Sequence, residues 1–156
     1  LTYNGNKRVQ GVEWQSSGEV MRNVRLLGGV TYMNGVLQQS TVASNNGKKA
    51  IGVPDWQANI GSEWDMPWLL QGLTTTARVN ATGRQWLDQA NTQQLPGWAT
   101  MDVGARYTTA IQSHKTTFRV NINNLFDQAY YSGTNGNAYA ILGAPMTVLG
   151  SVQVDF

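Results

Sequence analysis

Apolar and polar residues alternate with a period of two along most of this chain. In no segment do apolar residues recur with the 3.6-residue period of an α-helix. The clearest case is the segment 146–156, in which successive side chains of an extended strand would point to opposite faces. One face carries Met146, Val148, Gly150, Val152, Val154 and Phe156. The other carries Thr147, Leu149, Ser151, Gln153 and Asp155. The first face is uncharged and ends in an aromatic ring, which is typical of a strand that meets lipid.

The same alternation predicts seven or eight strands. They fall near 8–17, 23–33, 54–65, 73–87, 97–110, 115–127, 129–131 and 145–156, and the segment 129–131 is either a strand or an extension of the one before it. The connections alternate between short (18–22, 66–72, 111–114) and long (34–53, 88–96, 132–144). Short periplasmic turns and long extracellular loops are typical of outer-membrane barrels. We therefore predict an all-β fold, an antiparallel up-and-down transmembrane β-barrel segment that forms one domain over 1–156.

The charged residues of the predicted strands lie almost wholly on one face. Strand parity predicts that Val79, Val103, Val120 and Val152 face lipid, and that Asn80, Asp102, Arg119 and Ser151 face the interior. A charge that faces lipid near the membrane midplane costs about 2–4 kcal/mol, which accounts for the segregation.

Two pairs of aromatic residues share a predicted lipid face at a separation of eight residues: Trp56 with Trp64, and Phe118 with Phe126. Eight residues extend over about 26 Å of strand. Strand tilt reduces this to about 20 Å of height, close to the distance between the two aromatic girdles of a barrel. The spacing therefore predicts girdle residues.

Composition agrees with a barrel wall. Charged residues make up 13% of the chain, and the mean hydropathy is −0.33. The sequence contains no run of 18 apolar residues, so it predicts no membrane-spanning helix. The net charge of +2 is too small to indicate a nucleic-acid partner. The chain begins at Leu1 in what reads as a loop, so we expect a fragment of a longer protein.

Candidate catalytic chemistry is sparse. The absence of cysteine excludes disulfides and thiolate metal sites, and His114, the one histidine, gives no transition-metal site alone. A Ser–His–Asp arrangement would need His114 among the long loops, but it lies in a predicted short turn. We therefore expect no enzyme and no cofactor bound by side chains.

Three segments resemble the TonB-dependent outer-membrane receptors. Residues 121–131, Asn-Ile-Asn-Asn-Leu-Phe-Asp-Gln-Ala-Tyr-Tyr, are similar to a block near the C-terminus of that family. Residues 95–107 resemble a strand of the siderophore receptors, with Trp98 where Tyr is commoner, and 11–13 resemble a recurrent Gly-Val-Glu strand. The terminal Phe156 also fits, whereas Met146 stands where the family often has Arg.

The resemblance implies that this chain is the C-terminal portion of a barrel of about 22 strands with a plugged lumen. The N-terminal plug domain and the segments that contact TonB would lie outside it. The implied function is binding and TonB-energised import of a ferric siderophore. Implied partners are outer-membrane lipid, the plug domain, the remaining barrel strands, TonB and the outer-membrane assembly machinery.

Candidate site residues follow from these placements. Aromatic residues expected near the long loops would either pack against a siderophore or anchor the upper aromatic girdle in the membrane. They are Trp86, Tyr130, Tyr131 and Tyr139. The charged residues expected in the lumen would contact plug or substrate, or pair with one another: Arg78, Arg84, Asp102, Arg106 and Arg119. Phe156 resembles the C-terminal signal that the assembly machinery reads.

Two other functions stay open on the sequence alone. A complete small eight-stranded outer-membrane barrel, with a structural or adhesion role, suits the chain length but not the order of the motifs. An outer-membrane hydrolase is disfavoured because it would lack a histidine at the loop end.

Overall fold

The computed structural model describes residues 5–136 and 138–156. Eleven strands form within them, together with a single 3-10 turn at Ala43–Asn45. The strands are β1 Asn6–Met21, β2 Val24–Gln39, β3 Trp56–Asp65, β4 Leu73–Thr82, β5 Gln85–Trp86, β6 Gln94–Leu95, β7 Trp98–Ile111, β8 His114–Asn123, β9 Tyr131–Thr134, β10 Ala140–Leu142 and β11 Thr147–Asp155. The prediction of an all-β antiparallel fold is confirmed.

Seven strands form one antiparallel sheet in the order β1-β2-β3-β4-β7-β8-β11. Each strand pairs with the next long strand along the chain, so the sheet is an up-and-down meander. The short strands form two separate hairpins, β5–β6 and β9–β10. Within the described residues β1 and β11 are the two edges of the sheet, which therefore does not close into a small barrel by itself.

The short connections contain residues with positive φ. Gln112 and Ser113, which join β7 to β8, both have positive φ (49° and 69°), as a two-residue type I′ hairpin requires. Gly72 ends the connection from β3 to β4 with a φ of +88°, and a Cβ there would collide with the carbonyl oxygen of Thr108. Glycine is therefore required at position 72.

The strand register separates the two faces of the sheet. Ile60, Val79 and Met101 are successive cross-strand partners on one face, whereas Arg78 and Asp102 are partners on the other. The remaining registers place Val103, Val120 and Val152 with the first group and Asn80, Arg119 and Ser151 with the second. The eight residues therefore lie on two opposite faces of the sheet, grouped as the strand parity predicts.

The apolar face carries aromatic residues near both ends of the strands. Tyr32 pairs with Trp56 toward the long loops, and Trp64 lies toward the short turns, so the predicted shared face of the two tryptophans is confirmed. Tyr107 and Phe118 are also partners near the short turns, with ring centroids 6.5 Å apart. Between these two rows the strands carry no charge on this face. The buried apolar side chains of the described part, Leu37, Ala50 and Leu95, lie toward the long loops instead.

Several predicted strand ends are wrong. β4 ends at Thr82, so Arg84 lies beyond the strand, and the segment 129–131 is not part of the seven-stranded sheet. β8 ends at Asn123, so Phe126 does not share a strand face with Phe118. The positive φ of Asn124 (52°) and Asp127 (48°) turns the chain away from the sheet at this point.

Asn124 fixes this turn. Its Nδ2 donates to the carbonyl oxygens of Gln128 (2.9 Å) and Ala144 (3.0 Å), and its Oδ1 accepts from the Gln128 N–H (2.9 Å). Its own N–H donates to Asp102 Oδ1 (2.9 Å), and Asp127 Oδ1 accepts from the Met146 N–H (2.8 Å). The Asn and Asp of the Asn-Leu-Phe-Asp motif therefore tie the ends of β8 and β11 together.

We expect Asn124→Ala to destabilise the full-length protein by about 2–3 kcal/mol, because three part-buried backbone groups lose their hydrogen-bond partner. Urea unfolding of the refolded protein in lipid vesicles would measure the change. Gln128→Ala is the control, since Gln128 contributes only backbone groups to Asn124. Equal midpoints for both variants would contradict the role given to the Asn124 amide.

Candidate functional site

Three long connections meet at one end of the sheet: the first long loop (40–55), the second (83–97) and the third (124–146). The first and second are joined reciprocally, because the Lys49 N–H donates to Asn91 Oδ1 (2.8 Å) and Asn91 Nδ2 donates to the Lys49 carbonyl (3.0 Å). Lys48 Nζ also donates to the Ala90 carbonyl (2.9 Å). These bonds hold the two loops in one arrangement.

The backbone of the β5 hairpin connects all three loops. The Trp86 carbonyl accepts from the Gly52 N–H (3.1 Å) of the first loop, and the Leu87 carbonyl accepts from the Ala138 N–H (2.9 Å) of the third. Gly52 has a φ of +69°, and a Cβ there would lie 2.7 Å from Thr134 Oγ1. The three loops therefore form a single packed cluster, which we name the loop cluster.

Asp88 stabilises the tip of the second loop. Its carboxylate accepts hydrogen bonds from the N–H groups of Thr92 (2.9 Å) and Gln93 (2.8 Å) and from the Thr92 hydroxyl (2.8 Å). Desolvation acts to raise the pKa of the Asp88 carboxyl, but these hydrogen bonds together lower that pKa below its ordinary value. The side chain is therefore ionised at neutral pH and holds the tip of the second loop in place.

All four aromatic residues predicted for ligand binding lie in the loop cluster, but the structure gives them different settings. Tyr139 and Tyr131 are exposed (71% and 40%), and Trp86 is half-buried. The ring of Tyr130 instead packs against Trp98, at a centroid distance of 4.4 Å, and lies over Gly143. Among the described residues no two of the four predicted rings contact each other.

Trp98 is a residue of this region that the sequence reasoning did not propose. Its register partner, Thr82, places it on the charged face of the sheet, immediately below the loops. Its indole Nε1 is buried without a hydrogen-bond acceptor in the part of the chain that the structure describes. The signal for it was its position in the segment 95–107, where the family more often has Tyr.

The charged face of the sheet borders a cavity of about 320 Å³. Because residues from six strands line this one cavity, the charged face is concave. The lining residues include Leu27, Glu63, Arg78, Asp102, Asn121 and Leu149. Asp102 is already engaged, since it accepts from Asn80 Nδ2 (3.0 Å) and from the Asn124 N–H. Arg78, its register partner, makes no ion pair or hydrogen bond within residues 5–136 and 138–156.

Arg106 and Arg119 are direct cross-strand partners on this face. Like charges placed opposite each other on a sheet repel. Arg106 donates to Thr74 Oγ1 (3.4 Å) and Arg119 donates to Gln153 Oε1 (3.1 Å), and neither forms an ion pair with a described carboxylate. The expected mutual pairing of the lumen charges is therefore not found for these arginines. Arg84 lies apart from them, exposed in the second long loop.

The ion pairs of this face lie toward the short turns instead. Arg25 bridges Asp65 (2.7 Å) and Glu63 (3.0 Å), and the Thr74 hydroxyl donates to Asp65 Oδ1 (2.7 Å). Sequence reasoning missed this cluster because Arg25 and Glu63 are far apart along the chain and only the register of β2 and β3 brings them together.

At the opposite end from the loop cluster, the exposed ring of Phe156 lies 5.3 Å from the imidazole of His114. Lys115 and Asp155 form an ion pair (3.5 Å) beside it. His114 is thus remote from the long loops. Within the described residues no group of three potential metal ligands comes together, and no helix is long and apolar enough to span a membrane.

Comparison with known proteins decides the family. The model of the TonB dependent receptor-like β-barrel matches residues 1–125. The chain belongs to this family. Its members are outer-membrane β-barrel proteins of Gram-negative bacteria, so the outer membrane is the location of this chain.

Individual TonB-dependent receptors are similar over nearly the whole chain. The ferrichrome receptor FcuA of Yersinia enterocolitica is 34% identical over 153 residues, which cover 97% of this chain and 20% of the receptor. The metal-pseudopaline receptor CntO of Pseudomonas aeruginosa is 30% identical, again over 97% of the chain. The crystal structure of BauA, the ferric preacinetobactin receptor of Acinetobacter baumannii, superposes with a TM-score of 0.87 at 40% identity, covering 99% of this chain and 23% of BauA. The chain thus spans about a fifth of the length of its relatives.

Membership of this family assigns the two faces of the sheet. From the architecture of outer-membrane barrels we expect the uncharged face between the aromatic rows to meet lipid and the concave charged face to line the lumen. By the same rule we expect the short turns at the periplasmic end and the loop cluster at the extracellular end.

Proposed function

We propose that this chain is the C-terminal portion of the barrel of a receptor that binds a ferric siderophore and imports it, energised through TonB. The observation that carries the proposal is the loop cluster, which holds exposed aromatic rings at one end of the barrel wall. Relatives named as receptors for ferrichrome, metal-pseudopaline and ferric preacinetobactin support the ligand class. The chemistry is binding and gated transport, without a bond made or broken in the ligand.

The open sheet supports a fragment of a larger barrel rather than a complete small one. In lipid, unpaired N–H and C=O groups at a strand edge are costly, so β1 needs further strands as partners and so does β11. We infer that these strands, and a plug domain against the lumen wall, belong to the rest of the receptor. The alternative of an eight-stranded adhesion protein is not favoured.

Uptake by the full-length receptor tests the function. Expressed in a strain without other siderophore receptors, it should restore accumulation of radioactive iron from at least one of a panel of ferric siderophores. Deletion of TonB should abolish that uptake. Surface-expressed receptor that imports none of the panel, or that imports equally well without TonB, would contradict the proposal.

Within this function we propose that Trp86, Tyr131 and Tyr139 contact the ligand, while Tyr130 supports the site through its contact with Trp98. Rigid aromatic rings provide large contact areas to an organic ligand, at a small cost in conformational entropy. On the barrel wall, Arg78, Arg106 and Arg119 would bind acceptor groups of the plug domain or of the passing ligand, because none of the three forms a direct ion pair with a carboxylate among the described residues. Arg84 would act from the second long loop.

We expect Tyr139→Ala, and likewise Trp86→Ala and Tyr131→Ala, to weaken siderophore binding by more than tenfold, or about 1.4 kcal/mol. Binding of the ferric ligand to the purified full-length receptor, followed by fluorescence quenching, would measure it. Tyr32→Ala is the matched control, because the exposure of Tyr32 (58%) lies between those of Tyr131 and Tyr139 but its ring lies on the uncharged face. Unchanged affinity in the three loop variants would assign these rings to the outer aromatic row.

A further inference from the structure

The connection between β3 and β4 differs from the other short turns. It reads Met-Pro-Trp-Leu-Leu-Gln-Gly over 66–72 and carries no charge. The other two short turns are the polar pairs Arg22-Asn23 and Gln112-Ser113. Trp68, Leu69 and Leu70 nevertheless expose 62%, 69% and 45% of their surfaces. A periplasmic turn in water would not normally expose a contiguous apolar group of this kind.

Part of the backbone of this turn is hydrogen-bonded within the β3–β4 hairpin. Leu69 and Leu70 both donate to the Met66 carbonyl (3.1 and 3.0 Å), and Leu73 donates to the Leu70 carbonyl (3.0 Å). The Met66 N–H donates to the Leu73 carbonyl (2.9 Å), and Pro67 has no N–H to satisfy. Each of these bonds lowers the cost of moving the turn out of water, because unpaired backbone groups are costly in lipid.

The turn also continues the lipid face. Trp64 lies on that face in β3, and the ring of Trp68 lies 5.4 Å from it. Leu73, at the far end of the turn, pairs with Tyr107, which belongs to the periplasmic aromatic row. The exposed apolar group of the turn is therefore contiguous with a surface that already meets acyl chains, and this continuity favours lipid over a protein partner.

We propose that the turn 66–72 is a membrane anchor that inserts Trp68, Leu69 and Leu70 into the phospholipid of the periplasmic leaflet. The aromatic ring of Trp68 lies at the boundary between head groups and acyl chains, and the two leucines lie among the chains beside Trp64. This anchor fixes the depth of the β3–β4 hairpin in the bilayer. It depends on the membrane location of the chain and not on the identity of the ligand.

The test uses a fluorescent label on cysteine variants of the full-length receptor, in a background without other cysteines; this chain itself has none. Leu69→Cys carries the bimane probe, Leu70→Cys is a second probe if the first impairs folding, and Ser113→Cys in a polar turn at the same end is the matched control. The purified receptor is placed in lipid nanodiscs, where both ends are open to water. Brominated phospholipid and iodide are the two quenchers.

We expect brominated lipid to quench the label at position 69 at least twofold more than the label at position 113, and iodide to show the opposite order. Strong iodide quenching at both positions would place the turn in water and overturn the proposal. Protection from both quenchers would place the turn against other parts of the receptor and would overturn the proposal equally. Iodide access in nanodiscs combined with protection in native membranes would indicate a protein partner instead of lipid.

Discussion

Replacing Ile60 by Arg should lower the free energy of unfolding of the full-length receptor by about 2–4 kcal/mol. Ile60 is 57% exposed and lies on the lipid face of β3, midway between Trp56 and Trp64. Its cross-strand partners are Gly28 and Val79, so no carboxylate lies opposite it to offset a buried guanidinium. Chemical unfolding of the receptor after refolding in lipid vesicles would measure the loss.

The neighbouring residue provides a matched control. Asn59 lies at the same depth but on the lumen face, and its cross-strand partners are Gly29 and Asn80. We expect Asn59→Arg to change stability by less than about 0.5 kcal/mol, as an exposed substitution normally does. If the two arginine variants lost stability equally, the assignment of lipid and lumen faces would be wrong.

The parity of the strands was predictable from sequence because a barrel wall offers each side chain only two environments. A charge on the lipid face is costly, so the alternation around Val79, Val103 and Val120 fixes the faces without knowledge of any long-range contact. The strand ends were less predictable. β8 ends at Asn123 because the Asn124 side chain turns the chain, and nothing in the alternation marks that residue as different from Asn123.

The candidate site was predictable only as a location. The sequence placed Trp86, Tyr131 and Tyr139 at the loop end, where the structure has them. It could not give the contact of Tyr130 with Trp98, because that contact depends on how the third loop folds back over β7. The ion pairs of Arg25 were missed for a related reason. They join β2 to β3, and the pairing register of these two strands cannot be read from a single sequence.

Deleting Phe156 should reduce the amount of receptor inserted into the outer membrane while leaving the stability of refolded protein nearly normal. The ring is fully exposed at the periplasmic end and contacts His114 at 5.3 Å. An aromatic pair of this kind contributes about 0.5–1.5 kcal/mol, so its loss alone cannot unfold the barrel. In the unfolded chain, however, β11 has free backbone groups, and we propose that the assembly machinery binds them by strand addition, with the aromatic ring filling a pocket.

Two measurements separate the assembly role from a simple anchoring role. The folded fraction in isolated outer membranes reports assembly, and the unfolding midpoint of purified, refolded receptor reports stability. Phe156→Trp is the control, because it keeps an aromatic ring at the end of β11 and should insert almost as well as the parent. If Phe156 only anchors the strand, its deletion should lower the unfolding midpoint. The amount of inserted receptor should then fall no further than this loss of stability explains. Equal insertion of the deleted and intact chains in cells would show that Phe156 carries no assembly signal.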